Sequence, residues 1–303
     1  MAFAQGSRSS LSYVVETTFG TTPSTDFINL PFSTHSLNLT KDRVAGTDIQ
    51  ADRMPRHDRH GNRQAAGDIV ADLRDADYDA FLESAMLSTW SSNVLKVGTA
   101  PKFFSIEDYA ADIDQARMFT GMTVSTMGIS LAPNQMVTAT YGMVGKNMTI
   151  SDAQETPITA NSGSAPFDAY SGTLAIGNVN GTPSTSAIVT GMDFTLTNSF
   201  APTFVIGSDT APQLEVGRAE VEGTLSAYFE DAALINRFLN ETETELEVTV
   251  GDGSNTMKFA FPRAKINSAD VGVDGPTSRV ISMSFVALYN TTDASNLVIT
   301  RSA

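Results

Sequence analysis

Apolar and polar residues alternate in short runs along most of the chain. Ser36-Leu37-Asn38-Leu39-Thr40 is apolar at every second position, as a strand with one buried face requires. Leu11-Ser12-Tyr13-Val14-Val15-Glu16 is the strand-like piece of an N-terminal arm or edge strand over residues 1–33, and Gly20-Thr21-Thr22-Pro23 breaks that arm with a turn. Further strands are predicted over 68–73, 93–97, 102–106, 122–131, 136–144, 189–197 and 281–288, several closed by Pro, Gly or Asn. The period changes from two to 3.6 in two places. Tyr78, Phe81, Leu82, Ala85 and Met86 share one face of a helix predicted over 76–88, with Asp75 as N-cap and Asp77 and Asp79 at its positive end. Leu234, Ile235, Phe238 and Leu239 do the same for a helix over 231–240, with Asp231 as N-cap.

The two helices follow two copies of one motif. Gly67-Asp68-Ile69-Val70-Ala71-Asp72-Leu73-Arg74-Asp75-Ala76 recurs 156 places on as Gly223-Thr224-Leu225-Ser226-Ala227-Tyr228-Phe229-Glu230-Asp231-Ala232. Phe194-Thr195-Leu196-Thr197 matches Leu37-Asn38-Leu39-Thr40, Lys258-Phe259 echoes Lys102-Phe103, and 281–288 resembles 137–144. Each motif follows a long polar segment, 41–66 in the first half and 198–222 in the second; structureless runs of that length are usually functional. The first half has an apparent extra hairpin near 107–118. The stretch 150–168, rich in Ser, Thr, Ala, Pro and Gly, reads as a linker. The expectation is two tandem, mainly β domains, 1–155 and 156–303, each with one flanking helix and one long loop. A length of 303 residues gives each enough chain for a core of its own.

Composition narrows what such a duplicated domain does. The formal charge is −15, with a net of −4 over residues 1–151 and −11 over 152–303. A simple nucleic-acid binder is basic, so this chain is not expected to be one. The absence of cysteine excludes disulfides and thiolate metal sites. Residues 1–10 lack an apolar h-region, and no run approaches a membrane span of ~18 apolar residues.

Catalytic motifs are missing from the pattern. G-x-S-x-G, H-E-x-x-H, Walker-type and G-x-G-x-x-G sequences do not occur. His57-Asp58-Arg59-His60 sits among Arg53, Arg56, Arg59 and Arg63, which would repel a cation, so a solvated contact loop is expected there and not a metal site. Asp75-Ala76-Asp77-Tyr78-Asp79 lacks the glycine and distal glutamate of a calcium loop. Glu241, Glu243, Glu245 and Glu247 alternate onto one face, either a solvated acidic face or a negatively charged lining. Six methionines between Met118 and Met148 suit irregular gaps in a core or interface. No enzyme activity and no cofactor are expected.

Ser7-Arg8-Ser9-Ser10-Leu11-Ser12-Tyr13-Val14-Val15-Glu16-Thr17-Thr18-Phe19-Gly20-Thr21-Thr22-Pro23, and the run from Met54-Pro55-Arg56 to Ala76, resemble the tail tube proteins of long-tailed, siphovirus-type bacteriophages. The likeness covers most of the first half and, more weakly, the second. It implies a twisted β-sandwich or partial barrel with one helix, rings whose inner sheets close into a barrel, and a long loop reaching the next ring. It also implies a virion tail protein, made in the host bacterial cytoplasm, whose channel passes double-stranded DNA without specific binding. The implied partners are further copies of the chain and the tape-measure, tail tip and tail terminator proteins, with no membrane.

Two folds per chain make a homotrimeric ring with pseudo-sixfold symmetry the economical expectation, with a homohexamer as alternative. Arg53, Arg56, Arg59 and Arg63 are the candidate inter-ring contacts, docking on an acidic surface and fixing rotational register. Glu243, Glu245 and Glu247 are the candidate channel lining, where like charge keeps DNA mobile. The competing readings are another ring or tip component of the tail, and a β-rich adhesive or carbohydrate-binding module, which would need clustered exposed aromatics beyond the single Trp90.

Overall fold

The computed structural model describes residues 3–49, 51–184, 189–273 and 275–302. The first half contains β1 (Ser9–Glu16), β2 (Phe27–Leu30), β3 (Thr34–His35), β4 (Asn38–Ala45), β5 (Asp58–Asp72), α1 (Asp79–Met86), β6 (Val94–Lys96), β7 (Phe103–Ala110), β8 (Gln115–Leu131), β9 (Thr138–Gly145) and β10 (Asn147–Ser151). The second contains β11 (Ile158–Thr159), β12 (Asp168–Asn178), β13 (Val189–Thr197), β14 (Ala201–Thr203), β15 (Gln213–Glu215), β16 (Glu220–Tyr228), α2 (Ala233–Leu239), β17 (Thr244–Gly251), β18 (Thr256–Val271), β19 (Val280–Ala287) and β20 (Val298–Arg301). The protein is mainly β.

Strand pairing repeats residue by residue. In the first half β3 and β4 lie on β5, β5 on β9, and β9 on the second part of β8. In the second half β13 lies on β16, β16 on β19, and β19 on the second part of β18. Thr40 faces Gln64 as Thr197 faces Glu220, and Ala65 faces Gly145 as Val221 faces Ala287. Gly128 faces Thr140 as Asp270 faces Ser282. The irregularity recurs too: the ladder skips Ser125 in β8 and Asn267 in β18, the same place in each copy. Such a bulge bends its strand and holds register.

The two copies form one sheet. β13 pairs antiparallel with β8, from Met192 facing Leu131 to Thr197 facing Thr126. Eight strands therefore run without a break in the order β4–β5–β9–β8–β13–β16–β19–β18. A second layer covers one side of this sheet. Over the first copy it is β10, the first part of β8, β7, β1 and β2; over the second it is β20, the first part of β18, β17 and β12. Because β8 and β18 serve both layers, each sandwich is tied by a continuous strand.

The core lies between the layers. Phe81 of α1 stacks on Phe104 at 4.8 Å and meets Tyr13 edge-on at 5.1 Å. In the second copy Phe194 contacts Phe259 and Phe261, and Phe261 contacts Phe285. The predicted face of the first helix is buried throughout: Tyr78, Phe81, Leu82, Ala85 and Met86. α2 buries no residue fully, and its Leu239 is 66% exposed.

Several expectations change. The segment 41–66 is not a loop but the greater part of a long hairpin, β4 and β5, with β4 ending at Ala45 and β5 starting at Asp58. Its residues are polar on both faces, so no apolar alternation betrays the strands. The segment 198–222 holds the small β14–β15 hairpin and the start of β16. β1 is no loose arm or edge: it lies between β2 and β7, with Leu11 and Tyr13 buried. The stretch 150–168 is strapped down rather than free, since Phe167 is buried, its N–H donates to Leu73 O and its carbonyl accepts from Val137 N–H. The helices start later than expected. α1 begins at Asp79 without a side-chain cap, and Asp77 instead accepts from Ser162 N–H at 2.7 Å. In the second copy Asp231 does accept from Ala233 N–H at 2.8 Å. The 107–118 hairpin is the β7–β8 turn, matched by β17–β18, so it is no addition. Phe103 opens β7 while Phe259 sits in β18, so the Lys-Phe echo joins unlike strands. Ile281 corresponds to Ala139, two places from the sequence alignment.

The glycine shared by both motifs has a steric cause. A Cβ on Gly67 would stand 2.5 Å from Ser36 O, and one on Gly223 would stand 2.6 Å from Asp193 O. Ser36 and Asp193 are themselves equivalent, so each copy needs the same bare approach of β5 or β16 to its neighbour. Gly67→Ala and Gly223→Ala should each cost about 1–3 kcal/mol of stability, read as a lower urea midpoint. Gly6→Ala, which meets nothing within 4 Å, should leave the midpoint unchanged.

Candidate assembly surface

One side of the eight-stranded sheet is committed to the core through residues such as Ile69, Met127, Tyr141, Phe194, Leu225 and Met283. Successive side chains in a strand point to opposite faces, so the intervening residues face away from the second layer. They are mainly threonines, serines, small residues and six carboxylates, with Asn38, Gln64, Val70, Tyr228, Val280 and Val286 among them. Asp68, Asp193, Glu220, Glu222 and Asp270 are exposed, and Asp72 is half-buried. The paired stretches 34–40, 64–72, 126–131, 138–142, 192–197, 220–228, 268–271 and 280–286 contain no lysine or arginine. Ser130 Oγ donates to Asp193 Oδ1 at 2.5 Å across the β8–β13 ladder. The result is one broad hydroxyl-rich, acidic face.

The sheet ends on open edges. β3 and β4 pair only with β5, and residues 265–271 of β18 pair only with β19, among the described residues. An unpaired edge presents a row of N–H and C=O groups ready for another strand.

The β4–β5 hairpin projects from one end of the sheet. Ile49 is 99% exposed and Met54 65% exposed at its turn. The four expected arginines are not equivalent. Arg56 pairs with Asp52 at 2.7 Å, within the turn. Arg63 lies lower on β5, where it meets the second long segment: its guanidinium is 3.2 Å from Asp209 Oδ1, and its backbone N–H donates to Asp209 O at 2.8 Å. Arg53 and Arg59 are exposed and have no ion pair among the described residues. Arg43 pairs with Asp58 at 2.7 Å. The structure therefore gathers Arg53, Arg56 and Arg59 at the tip and assigns Arg63 to a contact between the two copies.

Glu243, Glu245 and Glu247 lie elsewhere. Glu245 and Glu247 are on β17, in the second layer, and Glu243 immediately precedes it. Glu247 pairs with Lys258 at 2.7 Å and Glu243 with Arg263 at 2.5 Å. The Arg263 hydrogen bond holds the Glu243 carboxyl below the usual range. Burial, with Glu247 and Asp293 nearby, pushes Glu245 up. None of the three belongs to the acidic face of the eight-stranded sheet. That face escaped sequence reasoning, although its signal was available: alternate polar positions in eight stretches without a lysine or arginine.

No helix of the described residues is long and apolar enough to cross a membrane. No curated protein matches the chain. The profile of the family described as phage tail tube protein matches residues 6–287, nearly the whole length. A repeated β-sandwich with one continuous eight-stranded sheet, open lateral edges and a projecting hairpin agrees with that match, and the chain belongs to the phage tail tube protein family.

Proposed function

We propose that three copies close laterally into a ring, that rings stack into the tail tube of a virion, and that the acidic sheet face lines a channel for double-stranded DNA. The observation that carries this reading is the eight-stranded sheet, built from two register-matched units and open at both lateral edges. Each ring would take eight strands from each chain. Barrels of 16–18 strands already enclose an aqueous channel, so this one has ample room for a duplex. Six copies would double the wall without need, since the duplication already supplies two units per chain.

The lining follows from the same geometry. The second layer and both helices cover one side of the sheet, so the uncovered side turns inward when the sheet closes. Phosphates passing Asp68, Asp193, Glu220 and Glu222 meet like charge and hydroxyls, which repel and do not hold them. We place the lining here and not at Glu243, Glu245 and Glu247, whose strand is in the outer layer.

Stacking uses the hairpin. β5 leads from the hairpin at one end of the sheet to Asp72 at the other, and β16 leads to Glu230 and Asp231, both exposed, at that same far end. Head-to-tail rings bring Arg53, Arg56 and Arg59 of one ring toward carboxylates of the next, a complementary pairing that favours one polarity. Heterologous contacts along an axis do not close, so they give a tube. The two ends of such a tube differ chemically, which suits separate closing partners, the tail tip and terminator proteins, with the tape-measure protein in the lumen. The protein is made in the host bacterial cytoplasm and resides in the tail.

Negative-stain microscopy of the purified chain should show rings with a central hole and three-fold class averages; a monodisperse monomer at every concentration would overturn the reading. Arg53→Glu with Arg59→Glu should leave rings intact and shorten the tubes, and unchanged tube length would remove the arginines from the contact. Asp193→Lys with Glu222→Lys should make tubes retain duplex DNA at low salt and release it as salt rises. Tubes of the unmodified chain should retain none, and equal retention by both would exclude these residues from the lining.

A further inference from the structure

We propose that the ring closes by pairing the free edge of β3–β4 in one copy with residues 268–273 at the end of β18 in the next, in the register of the internal β8–β13 ladder. This rests on the ring reading above and specifies the edges and the residues that meet.

The internal ladder is the template. Matched pairing makes β3–β4 the counterpart of β13, with His35 standing for Met192, Leu39 for Leu196 and Thr40 for Thr197. It makes the second part of β18 the counterpart of the second part of β8, with Ser268 standing for Thr126, Ala269 for Met127, Asp270 for Gly128 and Val271 for Ile129. Transferring the β8–β13 register sets Thr40 opposite Ser268, Leu39 opposite Ala269, Asn38 opposite Asp270 and Leu37 opposite Val271. On the core side Leu39 and Leu37 meet Ala269 and Val271, and His35 falls opposite Val273. Polar residues meet on the other side, with no like charges opposed.

Burial marks the missing strand. Met127 and Ile129, covered by β13, are 0% and 1% exposed, whereas Ala269 and Val271 are both partly open. Leu131 is 8% exposed; its counterpart Val273, two residues past the end of β18, is 68% exposed. Across the junction Leu196 is 0% exposed and Leu39 is partly open. Each exposed member is what the internal junction covers.

The residue after the ladder agrees. Asn198 donates its N–H to Ser125 O at the bulge, and its Nδ2 to Ala85 O near the end of α1, at 2.8 and 2.7 Å. Its counterpart is Lys41, exposed and without an ion pair among the described residues. In the transferred geometry Lys41 reaches the bulge at Asn267 and the terminal carbonyls of α2, which favour a cation; Glu241 beside them is already paired with Lys265 at 2.7 Å.

The chain has no cysteine, so the register is testable by disulfide trapping. Two matched variants, Thr40→Cys with Ser268→Cys and Leu39→Cys with Ala269→Cys, sample both kinds of antiparallel pair. A shifted variant, Thr40→Cys with Asp270→Cys, is two residues out of register and beyond bridging distance. Rings of each are oxidised mildly and run on non-reducing gels. At least one matched variant should give mostly three-copy product, and the shifted variant should stay monomeric. Visible rings in which neither matched pair links, or in which the shifted pair links, would overturn the register and leave the ring standing. A matched pair that links into ladders beyond three copies supports the junction and refutes three-fold closure. Absence of rings from the unmodified chain overturns both.

Discussion

The ladder between β8 and β13 is the contact on which the rest of the architecture depends. It joins two sandwiches that each have their own aromatic core, and it makes them share one sheet. Remove it, and the molecule becomes two beads on a strap, with Met127, Ile129, Phe194 and Leu196 left at open edges. Its backbone hydrogen bonds fix the spacing of the copies, and its apolar pairs fix which face packs on the core. A slip of one residue would send Phe194 and Leu196 to the acidic side and Asp193 into the core.

Two local devices keep that register. The bulges at Ser125 and Asn267 let one long strand leave the second layer and enter the eight-stranded sheet, so a slip in one layer is resisted by the other. Gly67 and Gly223 let the neighbouring backbone approach where any side chain would collide with a carbonyl. Both devices recur at equivalent positions. They belong to the repeated unit, whereas the two long segments differ, one a projecting hairpin and the other a small docked one, held together through Arg63 and Asp209.

Much of this was readable from sequence, and the failures have physical reasons. The motif at Gly67 and Gly223 exposed the repeat because close packing leaves little choice at glycine, alanine and the adjoining apolar sites. The buried face of α1 was legible because it meets a core. The hairpin of β4 and β5 was not, because Lys41, Asp42, Arg43 and Asp58, Arg59, His60 are solvated on both sides and show no period. The alternation of Glu243, Glu245 and Glu247 correctly indicated one face of a strand, but periodicity cannot say which of two stacked sheets that strand enters. The dipeptides Lys102-Phe103 and Lys258-Phe259 misled because a two-residue match carries no ladder information. Asp75 and Asp231 look alike in sequence, yet Asp231 accepts from Ala233 N–H at the start of α2, whereas α1 starts at Asp79 without a side-chain cap and Asp77 is held by Ser162 of the strap between the copies.

The β8–β13 ladder also has a kinetic meaning. It forms within one chain, between segments held together by the strap, so its two edges meet at an effective concentration no separate pair of subunits reaches. In the proposed ring of three chains, half of the lateral junctions would be complete before any two molecules collide. Assembly would then need fewer encounters than six single-unit chains, and dilution would threaten only the junctions between chains. A fused pair could not lose one of its units, so every gap in such a ring would span at least a whole third of its circumference.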